Sequence, residues 1–323
     1  MEVQREMAKK YREMNVNFSG NLNKCLIVSL AVVLVGVILA IVFGVDLDVN
    51  FKGGSRFTYS YTGELNNNDA KATIEETIDQ KVTVSESKDF SGETTYLVVT
   101  LASDEALSTE QQTAMLEALQ EKFADNSVEL GDSNTVNPSI AGSFFAKSIA
   151  AVVLAGVLVV VYMGIRFRKI GGVSAGVTAF IALVHDVVIA FLCTVIFRLQ
   201  IDMNFIAVVL TILGYSLNNT IVVYDRVREN RKLYSDITVR DNVNKSINQT
   251  FSRTVLTTVT TIVAVAVILI VSELNGITSL RTFVIPMIFG LVSGFYTSTF
   301  LAGPMWVRWV EYSEKRKAAP KKK

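Results

Sequence analysis

Six long apolar stretches divide the chain, and each is long enough to cross a membrane. About 30 Å of hydrocarbon requires roughly 20 residues of helix. The first stretch has a 21-residue apolar core, longer than that of a signal peptide, and no small-x-small cleavage site follows it, so we predict a retained anchor. The predicted spans cover residues 25–45, 144–165, 170–197, 203–224, 254–272 and 282–307.

The segment between the first two spans, residues 46–143, has the pattern of a water-soluble domain. Alternating apolar residues and turn signals predict strand, helix, strand, strand, helix and strand. These elements are expected over residues 48–61, 68–79, 81–87, 94–102, 108–124 and 127–136. The second helix should begin with a capping box formed by Ser108 and Gln111. The order βαββαβ is typical of a ferredoxin-like α+β domain, a fold that by itself indicates docking and no particular chemistry.

The composition agrees with a membrane protein and excludes several kinds of site. Of 323 residues, 50% are apolar and 19% charged, with a formal net charge of +1, whereas soluble domains carry about 25% charged residues. A general nucleic-acid-binding surface is therefore not expected. Cys25 and Cys193 are the only cysteines and His185 the only histidine, which leaves no disulfide framework and no zinc or multi-histidine metal site. We expect no cofactor and no enzymatic activity.

The distribution of Lys and Arg predicts the orientation. Twenty-two of the 31 fall in residues 1–24, 166–169, 225–253 and 308–323, whereas the short connections on the other side carry only Arg198 and Arg281. Because positive residues stay inside, both termini should be cytoplasmic. The predicted organisation is a cytoplasmic segment (1–24), span 1 (25–45), an acidic extracytoplasmic domain (46–143), spans 2–6 (144–307) and a basic cytoplasmic tail (308–323).

Polar residues inside the spans are the candidates for function. Span 4 carries Ser216, Asn218, Asn219 and Thr220, which need partners inside lipid and are open to a role in holding helices together. Asp225 and Arg226 follow at the cytoplasmic boundary, where they are open to a role as an interfacial anchor.

Span 3 carries His185 and Asp186 about 15 residues from its start. A carboxylate at that depth costs roughly 2.5 to 3.5 kcal/mol, which makes a cavity or a partner necessary, and either a functional or a structural pairing is open. Arg253 at the entry to span 5 either snorkels to the interface or turns inward. In span 6, Gly290 and Gly294 have the spacing that permits close helix approach.

Together these strings resemble the SecF family of bacterial protein-export membrane proteins, nearly from end to end. Gly53-Gly54 resembles the family's Asp-Phe-x-Gly-Gly element, and His185-Asp186 its third-span pair. The segment that begins with Gly214-Tyr215 and continues through Asp225-Arg226 to Asn230 resembles its fourth-span motif, which is the specific one. Arg253-Thr254 resembles its fifth-span pair.

The resemblance implies an accessory subunit of the Sec translocase in the bacterial cytoplasmic (inner) membrane. Its partners would be SecD, the SecYEG channel, the translocating preprotein and membrane lipids. Two six-span halves, one from each of SecF and SecD, would form a bundle like that of the resistance-nodulation-division transporters. A proton or sodium gradient would power export, and the outer domain would move and contact the emerging chain.

Two residues depart from the family pattern, since Asn50 and Asn219 stand where Asp is usual. Asn219 cannot titrate and only donates and accepts hydrogen bonds. We therefore expect the coupling carboxylate to be mainly SecD's, with Arg253 as its counter-charge. Asn219 and Ser216 would orient this carboxylate by hydrogen bonds. Asp186 is a secondary candidate for the coupling group.

Two other classes of function stay open. One half of a resistance-nodulation-division exporter for small molecules or lipids would share the spans, although such exporters usually hold both halves and larger outer domains in one chain. An intramembrane enzyme would need a nucleophile or a metal set, and neither is assembled here.

Overall fold

Six helices long and apolar enough to cross a membrane are present in the structure, a computed structural model that describes residues 16–88, 95–101, 107–234, 236–275 and 280–318. Most of the predicted N-terminal segment and the last five residues of the basic tail lie outside the described residues. Spans 1 to 5 are Leu22–Phe43, Pro138–Arg166, Gly172–Ile196, Met203–Leu233 and Val239–Leu274. Span 6 is Arg281–Tyr296, followed by a π-helical segment, Thr297–Ala302, and a C-terminal helix, Gly303–Ala318.

The helices of spans 4 and 5 continue beyond the predicted apolar stretches, which end at residue 224 in span 4 and begin at residue 254 in span 5. Their polar extensions pack against each other. Asn230 donates a hydrogen bond of 2.8 Å to Ser246, and Asn242 donates one of 3.0 Å to the carbonyl of Val227. All four residues are buried. These bonds satisfy the buried amide nitrogens of Asn230 and Asn242, so the helices can continue beyond the hydrocarbon-like sequence.

The outer segment folds as the predicted βαββαβ unit. Its strands are β1 (Gly54–Tyr61), β2 (Val82–Lys88), β3 (Thr95–Leu101) and β4 (Glu129–Val136), and its helices are α1 (Asn67–Ile78) and α2 (Thr109–Lys122). The antiparallel sheet has the order β2-β3-β1-β4, as in ferredoxin-like domains. Alternate residues of β1 and β3 point to one buried face that the helices cover. The Ser108–Gln111 capping box is confirmed.

The first strand begins at Gly54, so the predicted start at residue 48 was wrong. A short helix, Val49–Lys52, precedes it, and Asp48 caps this helix by accepting a hydrogen bond from the amide of Asn50. Gly53 and Gly54 have φ of 80° and 114°. L-residues with side chains rarely adopt such values, so the glycine pair makes the turn from helix to strand possible.

Spans 3, 4 and 6 form the centre of the bundle. At least half of the most apolar part of each of these helices is buried, compared with less than a fifth in spans 1, 2 and 5. Polar side chains on spans 3, 4 and 6 are therefore brought together away from lipid. Span 5 flanks the centre and keeps much of its surface exposed.

Candidate functional site

Asp186 is the hub of a polar cluster in the centre of the bundle. Its side chain is fully buried. One carboxylate oxygen accepts a hydrogen bond of 2.6 Å from Ser216 on span 4, and the other accepts one of 2.6 Å from Ser293 on span 6. The hydroxyl of Thr297, the first residue of the π-helical segment, lies 2.9 Å from both oxygens. Three hydroxyls thus replace the water that an exposed carboxylate would bind.

Two glycines let span 6 approach its neighbours closely enough to build this cluster. A Cβ added at Gly294 would lie 3.1 Å from the Cβ of Ser216 and 3.6 Å from Oδ2 of Asp186. One turn earlier, a Cβ at Gly290 would overlap Ile212. The expected close helix approach is confirmed, and π-helical turns such as the one that begins at Thr297 often occur at functional sites.

His185 extends the cluster toward one side. Its Nδ1 lies 3.2 Å from Oγ of Ser293 and 3.7 Å from Oδ1 of Asp186. Because Ser293 uses its own proton to bond Asp186, its oxygen accepts from the Nδ1–H of His185. The Nε2 atom is buried and has no partner among the described residues. A continuous hydrogen-bonded chain therefore runs from His185 through Ser293 to Asp186.

The other polar residues of span 4 take different positions. Asn219 is 3% exposed, and its amide nitrogen has no partner in the described part of the chain. Thr220 is buried and bonds back to the carbonyl of Ser216. Tyr215 donates a hydrogen bond of 3.2 Å to Thr258 and so joins span 4 to span 5. Asn218 is exposed on the outer face of the helix.

Gly214 lies on the same exposed face as Asn218. A Cβ at Gly214 would meet nothing within 4 Å. The glycine of the fourth-span string therefore has no packing role among the described residues, unlike Gly290 and Gly294.

Arg253 lies apart from the Asp186 cluster. It is exposed and lines a cavity of about 650 Å³ between spans 4 and 5, together with Asp225 and Arg226. Within residues 16–318, gaps excepted, no hydrogen bond or ion pair of Arg253 is found with another side chain. By contrast, Asp225 pairs with Arg166 at 2.9 Å. Arg226 bonds both Gln249 and Glu229.

The glycine pair Gly53-Gly54 lies in the chain between Asp48 and Arg56, two members of a second polar cluster, the joint between the outer domain and the bundle. Leu47 forms a parallel bridge with Ile201 in the loop between spans 3 and 4. Asp48 is 2% exposed and pairs with Arg56 at 2.8 Å. Arg56 also bonds Gln200 from that loop. The joint thus ties the base of the domain to the bundle.

Asp202 forms the other side of the joint. It caps span 4 through the amide of Phe205 and accepts a hydrogen bond of 2.8 Å from Thr282 at the start of span 6. Burial, with a smaller contribution from the nearby charge of Asp48, raises the pKa of Asp202 above its ordinary value of 3.8.

The comparisons with known proteins agree on one family. The family described as "Protein export membrane protein SecD/SecF, C-terminal" matches residues 115–312. A protein translocase subunit SecF of Alicyclobacillus acidocaldarius is 33% identical over 90% of this chain and 93% of the relative. The chain belongs to the SecF family. A SecF of Borreliella burgdorferi is 34% identical over 90% of this chain and 96% of its own.

Single-chain SecDF proteins match over part of their length. A SecDF of Bacillus subtilis is 28% identical over 88% of this chain and 36% of its own. The crystal structure of SecDF from Thermus thermophilus, titled a translocon-associated membrane protein, superposes with a TM-score of 0.79 at 27% identity. The superposition covers 93% of this chain and 39% of the SecDF chain. This chain thus spans about two fifths of the solved SecDF chain.

The structure brings together only some of the residues that the SecF motifs single out. Ser216, His185 and Asp186 meet in the central cluster, whereas Arg253 lies outside it. Sequence reasoning missed Ser293 and Thr297, which supply two of the three hydroxyls around Asp186. Their signal was present, because residues 290, 293, 294 and 297 are small and lie on one helical face.

Proposed function

We propose that this chain is the SecF half of a SecD–SecF pair that helps the Sec translocase to export unfolded preproteins through the SecYEG channel. The names of its relatives support this role. Proteins called SecDF hold a matching region within a chain more than twice as long. On this proposal SecD supplies the other half of the bundle.

One observation carries the proposal, namely a polar face on spans 4 and 5 that the described residues of this chain leave uncovered. Gly214 and Asn218 are exposed on span 4, and Arg253, Thr257 and Thr260 are exposed on span 5. An unpaired Arg or Asn against hydrocarbon is costly, so such a face requires protein or water beside it. A facing helix of SecD would approach closely at Gly214 and would supply partners for Asn218 and Arg253.

Co-purification of SecD with a tagged chain tests this interface. Gly214→Leu should lose SecD, because the larger side chain holds the facing helix away. Gly142→Leu is the matched control, since Gly142 is also exposed in a span with nothing within 4 Å of its Cβ. Full recovery of SecD with Gly214→Leu would contradict the proposed contact.

We infer that the ion gradient acts through the polar groups of the bundle. Arg253 has no acidic partner in the described part of this chain, which favours a carboxylate of SecD as its counter-charge. Asn219 cannot titrate, so it orients neighbours by hydrogen bonds. Asp186 is the second candidate, because the chain from His185 through Ser293 offers a route for a proton.

The outer domain, on this proposal, contacts the emerging preprotein transiently and moves during the cycle. Its acidic composition suits weak contacts that an extended chain can leave. An engineered disulfide that locks the domain to the membrane-proximal surface should slow export while assembly with SecD is unchanged. Unchanged export with the domain locked would show that its motion is dispensable.

The proposed orientation places both termini in the cytoplasm of the bacterial inner membrane, which the distribution of Lys and Arg supports. Single cysteines introduced in a variant without Cys25 and Cys193 test it. In intact cells, an impermeant thiol reagent should label Glu117→Cys and should leave Asp236→Cys unlabelled until the cells are opened. The reverse pattern would overturn the orientation.

A further inference from the structure

A groove of about 950 Å³ lies between span 3 and the C-terminal helix, and its described lining includes no residue of the uncovered polar face of spans 4 and 5. Its lining changes in chemistry along the C-terminal helix. Met305, in the first turn, and Ile181 of span 3 are apolar, whereas Arg316 and Lys317 lie in the last turn and Trp309 and Tyr312 lie between. A cavity with an apolar end and a cationic end matches an amphipathic anion.

The cationic end is not neutralised by any described residue. Arg316 and Lys317 are exposed, and neither forms an ion pair with a described residue. By contrast, Glu311 of the C-terminal helix is paired: it accepts two hydrogen bonds, of 2.8 and 2.9 Å, from Arg240 of span 5. Arg308, which also lines the groove, donates a hydrogen bond of 2.7 Å to the neutral side chain of Asn23. No acidic side chain is found among the groove's described lining residues.

The apolar end is continuous with the outer surface of span 3. Ile181 is 48% exposed, and Val184, at 45%, follows it on the same face of the helix. Such a surface faces acyl chains in a membrane. Trp309 and Tyr312 are 45% and 69% exposed, and these two residue types are typical of the interface between hydrocarbon and headgroups.

We propose that this groove binds one anionic phospholipid of the cytoplasmic leaflet. The headgroup phosphate lies between Arg316, Lys317 and Arg308, the glycerol region lies beside Trp309 and Tyr312, and an acyl chain follows Ile181 and Val184. The continuity of the groove with the lipid-facing surface favours a lipid over a soluble phosphate. The site ties the C-terminal helix to the membrane and does not depend on SecD or on ion coupling.

Quenching of tryptophan fluorescence by brominated lipid tests the site, because the chain has only two tryptophans. Trp309 lines the groove, whereas Trp306 is 2% exposed and bonds Ser174. The full chain is reconstituted in phosphatidylcholine vesicles that contain dibromo-phosphatidylglycerol as the minor lipid, and in vesicles with the bromines on phosphatidylcholine instead. A Trp309→Phe variant gives the contribution of Trp306 to the fluorescence.

The expected result is quenching of Trp309 by brominated phosphatidylglycerol well above its share of the lipid. Arg316→Gln and Lys317→Gln should each weaken this preference about fivefold, the fold-change that corresponds to the attraction of one Lys or Arg for anionic lipid. Lys315→Gln is the matched control, since Lys315 lies on the same helix but does not line the groove. Its preference should remain that of the unmodified chain.

Three results would overturn the proposal. Quenching that follows the share of brominated lipid whatever its headgroup would show that the groove has no anionic occupant. An equal loss of the preference for brominated phosphatidylglycerol in Lys315→Gln would show that the charge of the helix acts without a defined site. Displacement of the brominated lipid by inorganic phosphate alone would show that the occupant is a soluble anion. Arg316 and Lys317 are exposed and unpaired, so their replacement leaves the fold intact, which unchanged Trp306 emission would verify.

Discussion

Ser293 on span 6 donates a hydrogen bond of 2.6 Å to the buried carboxylate of Asp186 on span 3. The same serine lies 3.2 Å from Nδ1 of His185, so one hydroxyl joins two ionisable groups. The bond also joins two of the three helices that form the centre of the bundle. Its loss should therefore be felt in stability as well as in any proton transfer.

Ser293→Ala should lower the free energy of unfolding by about 1.5 to 3 kcal/mol, the usual contribution of a hydrogen bond to a charged group. Asp186→Ala should cost more, because it leaves three buried hydroxyls without their acceptor. Thermal unfolding in detergent measures both. Ser143→Ala is the control, since this exposed hydroxyl bonds only within its own helix. Equal stability of Ser293→Ala and Ser143→Ala would mean that the bond contributes nothing.

Gly290 and Gly214 should respond in opposite ways to an added methyl group. Gly290→Ala overlaps Ile212, and overpacking of this kind costs about 1 to 3 kcal/mol. Gly214→Ala meets open space in the isolated chain and should stabilise its helix by up to about 1 kcal/mol. The measurement is the unfolding temperature in detergent without SecD. Adding Ile212→Val should partly restore the unfolding temperature of Gly290→Ala. If the unfolding temperature is not restored, the clash lies elsewhere.

Much of this fold follows from the sequence, because burial in lipid or in a small core imposes a strong pattern. Six apolar runs gave six helices, and alternating residues such as Phe57 and Tyr59 gave the inward face of β1. The start of that strand was missed, because Asp48 and Asn50 form a helix cap that looks like strand alternation. Hydropathy also cannot find the polar packing of Asn230 against Ser246 that lengthens spans 4 and 5.

The site was harder to predict, because contacts between helices depend on how the helices are rotated. Asp186 was expected to be secondary to a carboxylate of SecD that pairs with Arg253. Within this chain, Asp186 accepts hydrogen bonds from span 4, span 6 and the π-helical segment. Which group couples to the gradient remains a prediction. Ser293 and Thr297 lie on a helical face of small residues, but a small hydroxyl residue in a span usually bonds its own backbone, so their contact with Asp186 was missed.

Asp202 should give the joint a stability that depends on pH. Burial and Asp48 raise its pKa above 3.8 in the folded chain. Between that ordinary value and the raised one, the folded state holds a proton that the unfolded state has released, so stability falls as pH rises through the interval. Asp202→Asn should remove this dependence, and the difference in unfolding temperature between the two proteins should grow with pH.

A second variant checks the cause of the Asp202 effect. Asn204 donates a hydrogen bond of 2.9 Å to Asp202, which lowers the pKa of this carboxyl and partly opposes burial. Asn204→Ala should therefore widen the pH interval over which stability falls. If the difference in unfolding temperature between Asp202→Asn and the unmodified chain stays constant across this pH range, Asp202 does not titrate differently after folding.

Arg253 provides the test of ion coupling. Because it is exposed and unpaired among the described residues, Arg253→Ala should leave the unfolding temperature of the isolated chain unchanged. In the proposed complex it should abolish gradient-stimulated export while ATP-driven insertion persists. One charge that crosses the field yields about 2.3 kcal/mol per 100 mV, enough to bias a conformational equilibrium some tens-fold. Export into inverted vesicles, with and without a gradient, measures the effect.

Lys232→Ala is the matched control for Arg253→Ala, because Lys232 is exposed, basic and lines the same cavity. It should keep gradient-stimulated export, since a solvated charge at the end of span 4 has no carboxylate of SecD to face. If Asp186 is instead the essential carrier, Asp186→Asn should be as damaging as Arg253→Ala in a complex of normal composition. Full gradient-dependent export by Arg253→Ala in an assembled complex would exclude the pairing with SecD, and the uncovered Arg253 would then serve only to position span 5 at the membrane surface.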